Sequence, residues 1–370
     1  MTYDAFLLAS FGGPEGPDDV MPFLENVTRG RGVPRERLVD VSHHYMELGG
    51  VSPINNQNRA LIKEIQAEFD RRGITLPIYW GNRFWDPFLA PAVQQIKNDG
   101  HRNVLTLATS AYSSYSGCRA YREDLASALD EAGVAQDLTI DKIRHYFDHP
   151  GFVTPFVEGL AEALTALAND GVALNDTRVL FVTHSVPTAM SETSGPPGMF
   201  GDTGAYVTQH LTTANLVCEQ VRERGVDVPE WTLNYQSRSG APHIPWLEPD
   251  INDAITMHAK NGVTAVVIVP IGFVSDHVEV IWDLDNEAQE TCDDLGVRML
   301  RVATPGTHPL FVKGLVDLIE ARINGEPGEA LSSLGPWPAV CAVGCCANAR
   351  EDKPTVCGED STYAVRQTPA

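Results

Sequence analysis

The chain has few basic residues and no long apolar segment. Its 370 residues include 27 lysines and arginines against 49 aspartates and glutamates, a formal net charge of -22 at pH 7. Nucleic-acid binding normally needs a basic face, so this balance argues against such a partner. No apolar run approaches the roughly 18 to 20 residues of a membrane-spanning helix, and the N-terminus, MTYDAFLLASFGG, lacks the basic segment of a secretory signal. We therefore expect a cytoplasmic protein without stable membrane insertion.

Cysteine is scarce until the C-terminal tail. Cys118, Cys218 and Cys292 are scattered, whereas Cys341, Cys345, Cys346 and Cys357 follow one another closely. Disulfides are not expected in a reducing compartment, so the terminal group indicates a metal site. Its spacing fits no standard zinc ribbon, but four thiolates suit either zinc or a [2Fe-2S] cluster. A disordered tail with unliganded cysteines is the alternative.

Length and composition predict a globular protein of two domains. Hydrophobic residues make up 43% of the chain, and domains usually span roughly 100 to 200 residues. Apolar, strand-like runs lie at residues 5–10, 77–80, 104–109, 178–184, 231–235, 265–273 and 298–303. Helical patterns lie between them at residues 55–69, 120–132, 155–167, 206–224, 249–260 and 309–323. This alternation predicts an α/β fold with parallel sheets and right-handed crossovers.

The two halves of the chain are similar to each other. IYWGNRFWDP, a helix, KNDG and NVLTLATSAYSS have counterparts in TLNYQSRSGAPHIPWLEP, a helix, KNG and AVVIVPIGFVSD. This repetition predicts a duplicated Rossmann-like unit. Ligands of open parallel sheets bind beyond the carboxyl ends of the strands, so we expect one cleft between the halves. We assign an N-terminal α/β domain to residues 1–145, a C-terminal α/β domain to 146–305, a helix packing back on the body to 306–325, and a cysteine-rich tail to 326–370.

An acidic row follows the strand at residues 265–273. Asp276, Glu279, Asp283 and Glu287 are three and four residues apart, a spacing that places them on one face of a helix. Like charges at this spacing repel, so the row gives a structural protein no advantage. Carboxylate oxygens are the ligands that hard divalent cations prefer. The row therefore indicates a cation path, with a solvated acidic face as the alternative.

Six motifs together carry a family resemblance. They are FGGPE, LGGVSP, ATSAYSSYSGCRAYRED, FVTHSVP, NYQSR and PIGFVSDHVEVIWDLDNEA, found in this order between about residues 4 and 323. The chain resembles the ferrochelatases, which insert ferrous iron into a porphyrin, and most resembles the actinobacterial type with a cysteine-rich tail. The resemblance implies the chelatase fold, porphyrin and ferrous iron as partners, and formation of coproheme from coproporphyrin III. A protoporphyrin IX ferrochelatase, a cobalt or nickel chelatase, and a non-catalytic haem- or porphyrin-binding protein are the alternatives. We expect a monomer.

The iron site implied by this resemblance consists of His184 and Glu279. Removal of the pyrrole protons needs a base, and a neutral imidazole can accept a proton or bind iron. Asp276 and His277 would orient Glu279, while Asp283 and Glu287 would relay the cation. In the family this helix has a π-type widening, which would turn successive carboxylates toward one another.

The porphyrin site implied by the resemblance includes Ser52 and Tyr121, whose hydroxyls can meet a propionate or a ring edge. Arg29 and Arg31 suit propionates, because guanidinium binds carboxylates in bidentate fashion. Some Gram-positive relatives have an axial tyrosine where this chain has Phe11, which cannot bind iron. Four arginines in TRGRGVPRERL favour coproporphyrin III, with four propionates, over protoporphyrin IX, with two.

The resemblance also favours [2Fe-2S] over zinc in the tail. We expect the ligands to be Cys341, Cys345, Cys346 and Cys357. Some family clusters take one ligand from the body of the protein, so Cys118 or Cys218 is an alternative fourth ligand.

Overall fold

Eight short strands form two parallel sheets. The structure is a computed structural model that describes residues 3–363. The strands of the first sheet are β1 (Ala5–Ser10), β2 (Ile78–Asn82), β3 (Asn103–Ala108) and β4 (Thr139–Lys142), in the order β2-β1-β3-β4. The strands of the second are β5 (Thr177–His184), β6 (Trp231–Gln236), β7 (Ala265–Val269) and β8 (Arg298–Arg301), in the order β6-β5-β7-β8. The α/β prediction is confirmed.

Helices connect the strands and cover the sheets. Those before β5 are α1 (Pro17–Val27), α2 (Arg35–Glu47), α3 (Ile54–Arg72), α4 (Leu89–Asn98), α5 (Ala120–Glu131) and α6 (Pro150–Asn169). Those after β5 are α7 (Thr188–Glu192), α8 (Gly204–Glu223), α9 (Ile251–Lys260), α10 (Val278–Val280), α11 (Ala288–Leu295) and α12 (Pro309–Asn324). Two π-helical segments, Tyr115–Arg119 and Ile281–Glu287, lead into α5 and α11. Short 3-10 turns lie at Leu174–Asp176 and Gly201–Thr203.

The two sheets repeat the same connections. β2 and β6 occupy equivalent edge positions, and each is followed by an isolated parallel bridge to the residue before the next helix. In the first half the bridge joins Asn82 to Phe88, and in the second it joins Tyr235 to Asp250. Each sheet lies within one of the two ranges assigned from the sequence. The domain boundaries themselves stay a prediction.

A single apolar core extends between the sheets. It contains Phe6 of β1, Phe181 of β5, Phe152 of α6 and Phe311 of α12, all fully buried. Among residues 3–363, α6 alone is long and apolar enough to cross a membrane by length and composition. Its packing against α8 and α12 accounts for that composition.

Some elements differ from the sequence expectation. β7 ends at Val269, earlier than predicted, because Pro270 has no backbone N–H to continue the strand. The four-residue strand β4 was not predicted, since TIDK is short and half polar. The last residues of the arginine-rich segment TRGRGVPRERL, from Arg35 onward, belong to α2.

The tail packs on the body through buried polar contacts. Arg144 donates to the carbonyl oxygens of Pro327 and Glu329, and Ser332 donates to Asp148 at 2.7 Å. Trp337 is buried against the core aromatic residues. The described part of the tail is therefore folded, not the disordered segment of the alternative.

Candidate active site and cysteine cluster

His184 and Glu279 meet at the carboxyl edge of the second sheet. His184 is the last residue of β5, and Glu279 lies in α10, which follows the neighbouring strand β7. The imidazole Nε2 lies 3.6 Å from a carboxylate oxygen of Glu279. The two side chains are 33% and 46% exposed, so a ligand in the cleft can reach both. The structure thus brings together the two residues predicted for the iron site.

The environment of this pair favours opposite charges. Burial lowers the pKa of His184, but Glu279 outweighs this effect and the pKa is raised overall. Burial likewise raises the pKa of Glu279, yet its contact with His184 brings the pKa down to about 2. The imidazole Nδ1 contacts the carbonyl oxygen of Ser185 at 2.5 Å. A carbonyl can only accept, so Nδ1 carries a hydrogen and Nε2 is the nitrogen that faces the cleft.

The acidic row begins at Glu279 and continues through the π-helical segment, as the resemblance implied. Asp283 lies in this segment and Glu287 is its last residue. Asp283 accepts hydrogen bonds from Ser237 and from the Gln236 amide. Burial, with the charges of Glu279 and Glu287, raises the pKa of Asp283 to about 7 despite the Ser237 hydrogen bond. The row therefore contains a carboxyl group that gains or loses its proton near neutral pH.

Asp276 does not belong to the helical row. The helix starts only at Val278, with His277 as its cap, so Asp276 lies in the preceding loop. Arg301 binds both carboxylate oxygens of Asp276 at 3.1 Å, and Thr304 donates to one of them. The helical row therefore contains three carboxylates, not the four expected from the sequence. Asp276 fixes the loop before Glu279, in keeping with its predicted supporting role but not with a place on the same helical face.

The N-terminal half supplies an apolar wall close to Glu279. Phe11 packs against Phe23 and Phe84, and its ring centroid lies 4.6 Å from that of Phe84. This aromatic group includes Val278, the neighbour of Glu279. Phe11 therefore lies near the iron site, where it offers a flat apolar surface and no ligand atom.

Tyr121 extends the same wall. The guanidinium of Arg83 lies 4.6 Å from the ring centroid of Tyr121 and 4.8 Å from that of Phe84. Tyr121 is buried, and burial raises the pKa of its hydroxyl. Ser52 is also buried and packs against Gly13, where a Cβ would come within 2.6 Å of the serine Cβ. Sequence reasoning did not select Arg83, although its position in GNRFW at the end of β2 was a usable signal.

Arg29 and Arg31 are exposed in the turn between α1 and α2. Partial burial of Arg31, and then the positive charges of Arg350 and Arg83, lower its pKa. The backbone N–H of Arg350 donates to Asn348, whose amide donates to Tyr115. Of these arginines, Arg83 already pairs with Asp124.

A second contact between the halves lies along the acidic row. His44 of α2 stacks on Trp282, with ring centroids 4.3 Å apart and an interplanar angle of 8°. The Trp282 indole N–H donates to Glu287 at 2.8 Å. Tyr45, also in α2, is buried, and burial with the charges of Glu279 and Asp283 raises its pKa. Neither His44 nor Tyr45 was predicted as a site residue, since α2 itself was missed.

The buried cysteine cluster differs from the preferred ligand set. Cys118, Cys341, Cys345 and Cys346 pack together, whereas Cys357 donates to the carbonyl oxygen of Ile140 and packs in another part of the core. Cys218 is buried in α8, in the main core. The structure thus places Cys357 apart from the other three tail cysteines and Cys118 beside them, and the ligand set itself stays a prediction. Cys118 lies on the first π-helical segment, immediately before α5.

The four sulfur atoms of Cys118, Cys341, Cys345 and Cys346 lie close together. The Cys118 and Cys341 sulfurs are 3.7 Å apart, and those of Cys345 and Cys346 are 3.8 Å apart. Two thiolates on one tetrahedral metal, each at about 2.3 Å, are separated by about 3.8 Å. Within residues 3–363, no three His, Cys, Asp or Glu side chains are arranged around one metal ion. Four thiolates are a donor set that suits either zinc or a [2Fe-2S] cluster.

Comparison with known proteins identifies the family. The Ferrochelatase family profile matches residues 3–323. The coproporphyrin III ferrochelatase of Streptomyces coelicolor is 53% identical over 98% of both chains, and that of Leifsonia xyli is 52% identical over 97% of this chain and 95% of the relative. The solved structure of SirB from Bacillus subtilis with Fe3+ has a TM-score of 0.49 at 12% identity, and the match covers 87% of this chain and 98% of that one. The chain belongs to the ferrochelatase family.

Proposed function

We propose that this protein inserts ferrous iron into coproporphyrin III, forming coproheme and releasing two protons. The observation that carries the proposal is the open His184–Glu279 pair, which lies at the end of a row of carboxylates and beside an aromatic wall. Only two ligand side chains are needed there, because the four porphyrin nitrogens complete the coordination of the iron. The named activity of the two bacterial relatives supports the same substrate.

The pair can manage the protons of the reaction. With Nδ1 directed to the Ser185 carbonyl, His184 exchanges protons through Nε2. Glu279 is ionised at neutral pH, since its pKa is about 2, and it stabilises the imidazolium formed when Nε2 accepts a pyrrole proton. The second proton leaves by the same nitrogen after the first has passed to solvent. Because the two groups interact strongly, they titrate as one coupled pair.

The row of carboxylates gives iron a route to Glu279. A hydrated divalent cation exchanges water for carboxylate oxygens, first at Glu287, which Trp282 holds in place, and then at Asp283. Asp283 has a pKa of about 7, so a cation displaces its proton easily and the group is neutral again once the cation moves on. Because Asp283 is charged while the cation is bound and neutral after it leaves, the site can bind iron without retaining it.

The arginines beside the cleft favour a substrate with many carboxylates. The positive charges of Arg350 and Arg83 oppose that of Arg31, an effect that a propionate bound at Arg31 relieves. Coproporphyrin III offers four propionates and protoporphyrin IX offers two. We expect Arg31→Ala to raise KM for coproporphyrin III by about tenfold, the value of one charge-assisted contact, and to change KM for protoporphyrin IX less.

The cysteine cluster is the second part of the proposal. Cys118, Cys341, Cys345 and Cys346 would hold a [2Fe-2S] cluster, which supplies one-electron redox chemistry when bound. Cys341 is the thiol best prepared to bind metal. Its contacts with Cys118 and Cys345, together with the nearby charges of Lys142 and Arg122, lower its pKa despite burial. Thiolates, not thiols, bind metal.

Anaerobic steady-state assays test the activity. Ferrous iron with coproporphyrin III should give the highest kcat/KM, above iron with protoporphyrin IX and above cobalt with sirohydrochlorin. Preference for cobalt and sirohydrochlorin would identify a different chelatase. Tight porphyrin binding with no turnover under any pairing would identify a binding protein. The monomeric state and the cytoplasmic location stay predictions, which gel filtration and cell fractionation check.

A further inference from the structure

A small buried cavity separates the first sheet from α5, next to the cysteine cluster. Its volume is about 20 Å³, room for about one water molecule. Both Cys118 and Cys357 line it. Four other lining residues each have a buried nitrogen or oxygen atom without a hydrogen-bond partner: Thr106, Arg122, Lys142 and His145. Buried polar atoms are nearly always paired, so four unpaired ones around one cavity need a physical reason.

Lys142 is the most unusual of the four. It is the last residue of β4, in register with Thr106 of β3, so both side chains point to the same face of the sheet. Its Nζ is buried and makes no hydrogen bond. Among the ion pairs of residues 3–363, none includes Lys142. A buried ammonium without an opposite charge is strongly unfavourable, and a lysine in that position would be expected to lose its proton.

Arg122 adds a second cation with spare bonding capacity. Its side chain is 1% exposed, and its Nε donates to the carbonyl oxygen of Val356. Its Nη2 donates to Thr355 and pairs with Asp360. Its Nη1 has no partner. The Asp360 carboxylate therefore pairs with Arg122, but no carboxylate in the described part of the chain pairs with Lys142. The region is left with an uncompensated positive charge.

The missing negative charge is next to the cavity. A [2Fe-2S] centre with four thiolates carries a net charge of about -2 when oxidised and -3 when reduced. Cys118, one of the proposed ligands, lines the same cavity as Lys142. A water molecule can satisfy Thr106 and His145, the latter kept neutral by a pKa lowered by burial to about 3, but water cannot neutralise an ammonium.

We propose that Lys142 is the buried counter-charge of the iron–sulfur centre, and that it raises the reduction potential of that centre from the far side of the cavity. This inference rests on the cluster part of the proposed function. A positive charge stabilises the more negative, reduced form of the centre, so removing the charge disfavours reduction. Lys142 acts on the centre through space and is a positioning residue, not a ligand.

The test is a redox titration of the holoenzyme, followed by the electron paramagnetic resonance signal of the reduced centre. Lys142→Met keeps the length of the side chain and removes its charge, and Lys142→Arg keeps the charge. At a fixed potential, the ratio of reduced to oxidised centre should fall about tenfold or more in Lys142→Met, a shift of about 59 mV for one electron. Lys142→Arg should stay within about twofold of the wild type. Lys260→Met, a change at an exposed lysine at the end of α9, serves as the control.

Each outcome has a distinct meaning. An unchanged potential in Lys142→Met, with full iron and sulfide content, would overturn the proposal. If Lys142→Met lost the centre and Lys142→Arg retained it, the proposal would be supported, because Arg keeps the positive charge that Met lacks. Loss in both variants, with native circular dichroism, would overturn it. If the wild-type protein itself held no iron and sulfide, the cluster part of the proposed function would fail instead, and the iron-insertion assay would still stand.

Discussion

The imidazole of His184 and the carboxylate of Glu279 are held 3.6 Å apart by two neighbouring strands of one sheet. Each side chain follows a different strand, so their separation depends on the sheet and not on local sequence. Both remain partly open to the cleft. A base and a metal-binding carboxylate are thereby fixed in contact before any substrate arrives, which reduces the entropy lost in the reaction.

Removing the charge of Glu279 should separate binding from catalysis. We expect Glu279→Gln to keep porphyrin affinity, measured by fluorescence quenching, within about threefold, because the apolar wall is unchanged. Turnover should fall by several orders of magnitude, since the variant loses both an iron ligand and the partner of the imidazolium. The pKa of His184, followed by NMR, should also fall, because Glu279 is what raises it.

The matched control is Glu290→Gln, at an exposed glutamate of α11 on the same stretch of chain. It should leave turnover and the pKa of His184 unchanged. Normal iron insertion by Glu279→Gln would refute the proposed mechanism.

Asp283 should make both iron use and stability depend on pH. Its pKa is raised from 3.8 to about 7 in the folded protein, so the charged form is disfavoured by folding. Its ionisation therefore costs stability progressively above about pH 4, and the cost is fully developed above pH 7. We expect Asp283→Asn to stabilise the protein at pH 8 by about 1 to 2 kcal/mol, after allowance for solvent screening, and to have little effect near pH 4.

The same variant should raise KM for iron more than it lowers kcat, because the relay precedes the chemical step. Thermal unfolding at several pH values and iron-dependent kinetics check the two parts. A pure loss of kcat would contradict the relay. Glu287→Gln, which removes the other outer carboxylate, should reproduce the kinetic effect with a smaller gain in stability near neutral pH, because it removes only one of the charges that disfavour ionisation of Asp283.

Two cysteine variants should distinguish the two possible ligand sets. Cys118→Ser should abolish most of the iron and acid-labile sulfide in the purified protein, because Cys118 lies within the sulfur cluster. Cys357→Ser should retain both, since its sulfur donates to the Ile140 carbonyl instead. Metal analysis and the visible absorption bands provide the measurement. The opposite pattern would restore the original assignment of Cys357.

Asp360 should be needed to keep the tail docked. Its carboxylate pairs with Arg119 and Arg122, whose side chains are almost fully buried. Asp360→Asn leaves buried guanidinium groups without this charge, so we expect the free energy of unfolding to fall by about 3 kcal/mol. Asp352→Asn is the control, because Asp352 also approaches Arg119, at 3.9 Å, but is fully exposed. It should change stability by less than about 0.5 kcal/mol. Equal effects in chemical denaturation would contradict this role of Asp360.

The sequence was sufficient to predict the parts of the molecule whose positions depend on the ends of strands. Apolar runs located β1, β5 and β7, and the residues after β5 and β7 include His184 and Glu279. The duplication was visible because equivalent motifs follow equivalent strands. The helical row was wrong at Asp276, because spacing alone cannot show where a helix begins. A bidentate contact with Arg301, 25 residues later, decides the position of that carboxylate.

Long-range contacts account for the other differences. Nothing near Cys118 in the chain indicates that its sulfur meets Cys341, 223 residues away. Lys142 closes a short, polar strand whose character comes from pairing with β3, so neither the strand nor the buried ammonium was predicted. Helix α2 has little hydrophobic patterning of its own, and its buried face is defined by contacts with α1.

The position of Cys118 has a mechanical consequence for the cleft. Tyr121, whose ring forms part of the wall beneath Arg83, is three positions after Cys118. The π-helical turn and the start of α5 form one continuous helix. A displacement of the Cys118 sulfur therefore shifts the Tyr121 ring, which lies within one helical turn of it. We therefore expect occupancy of the cysteine cluster and the shape of the porphyrin wall to vary together. Loss of the proposed metal centre should weaken porphyrin binding.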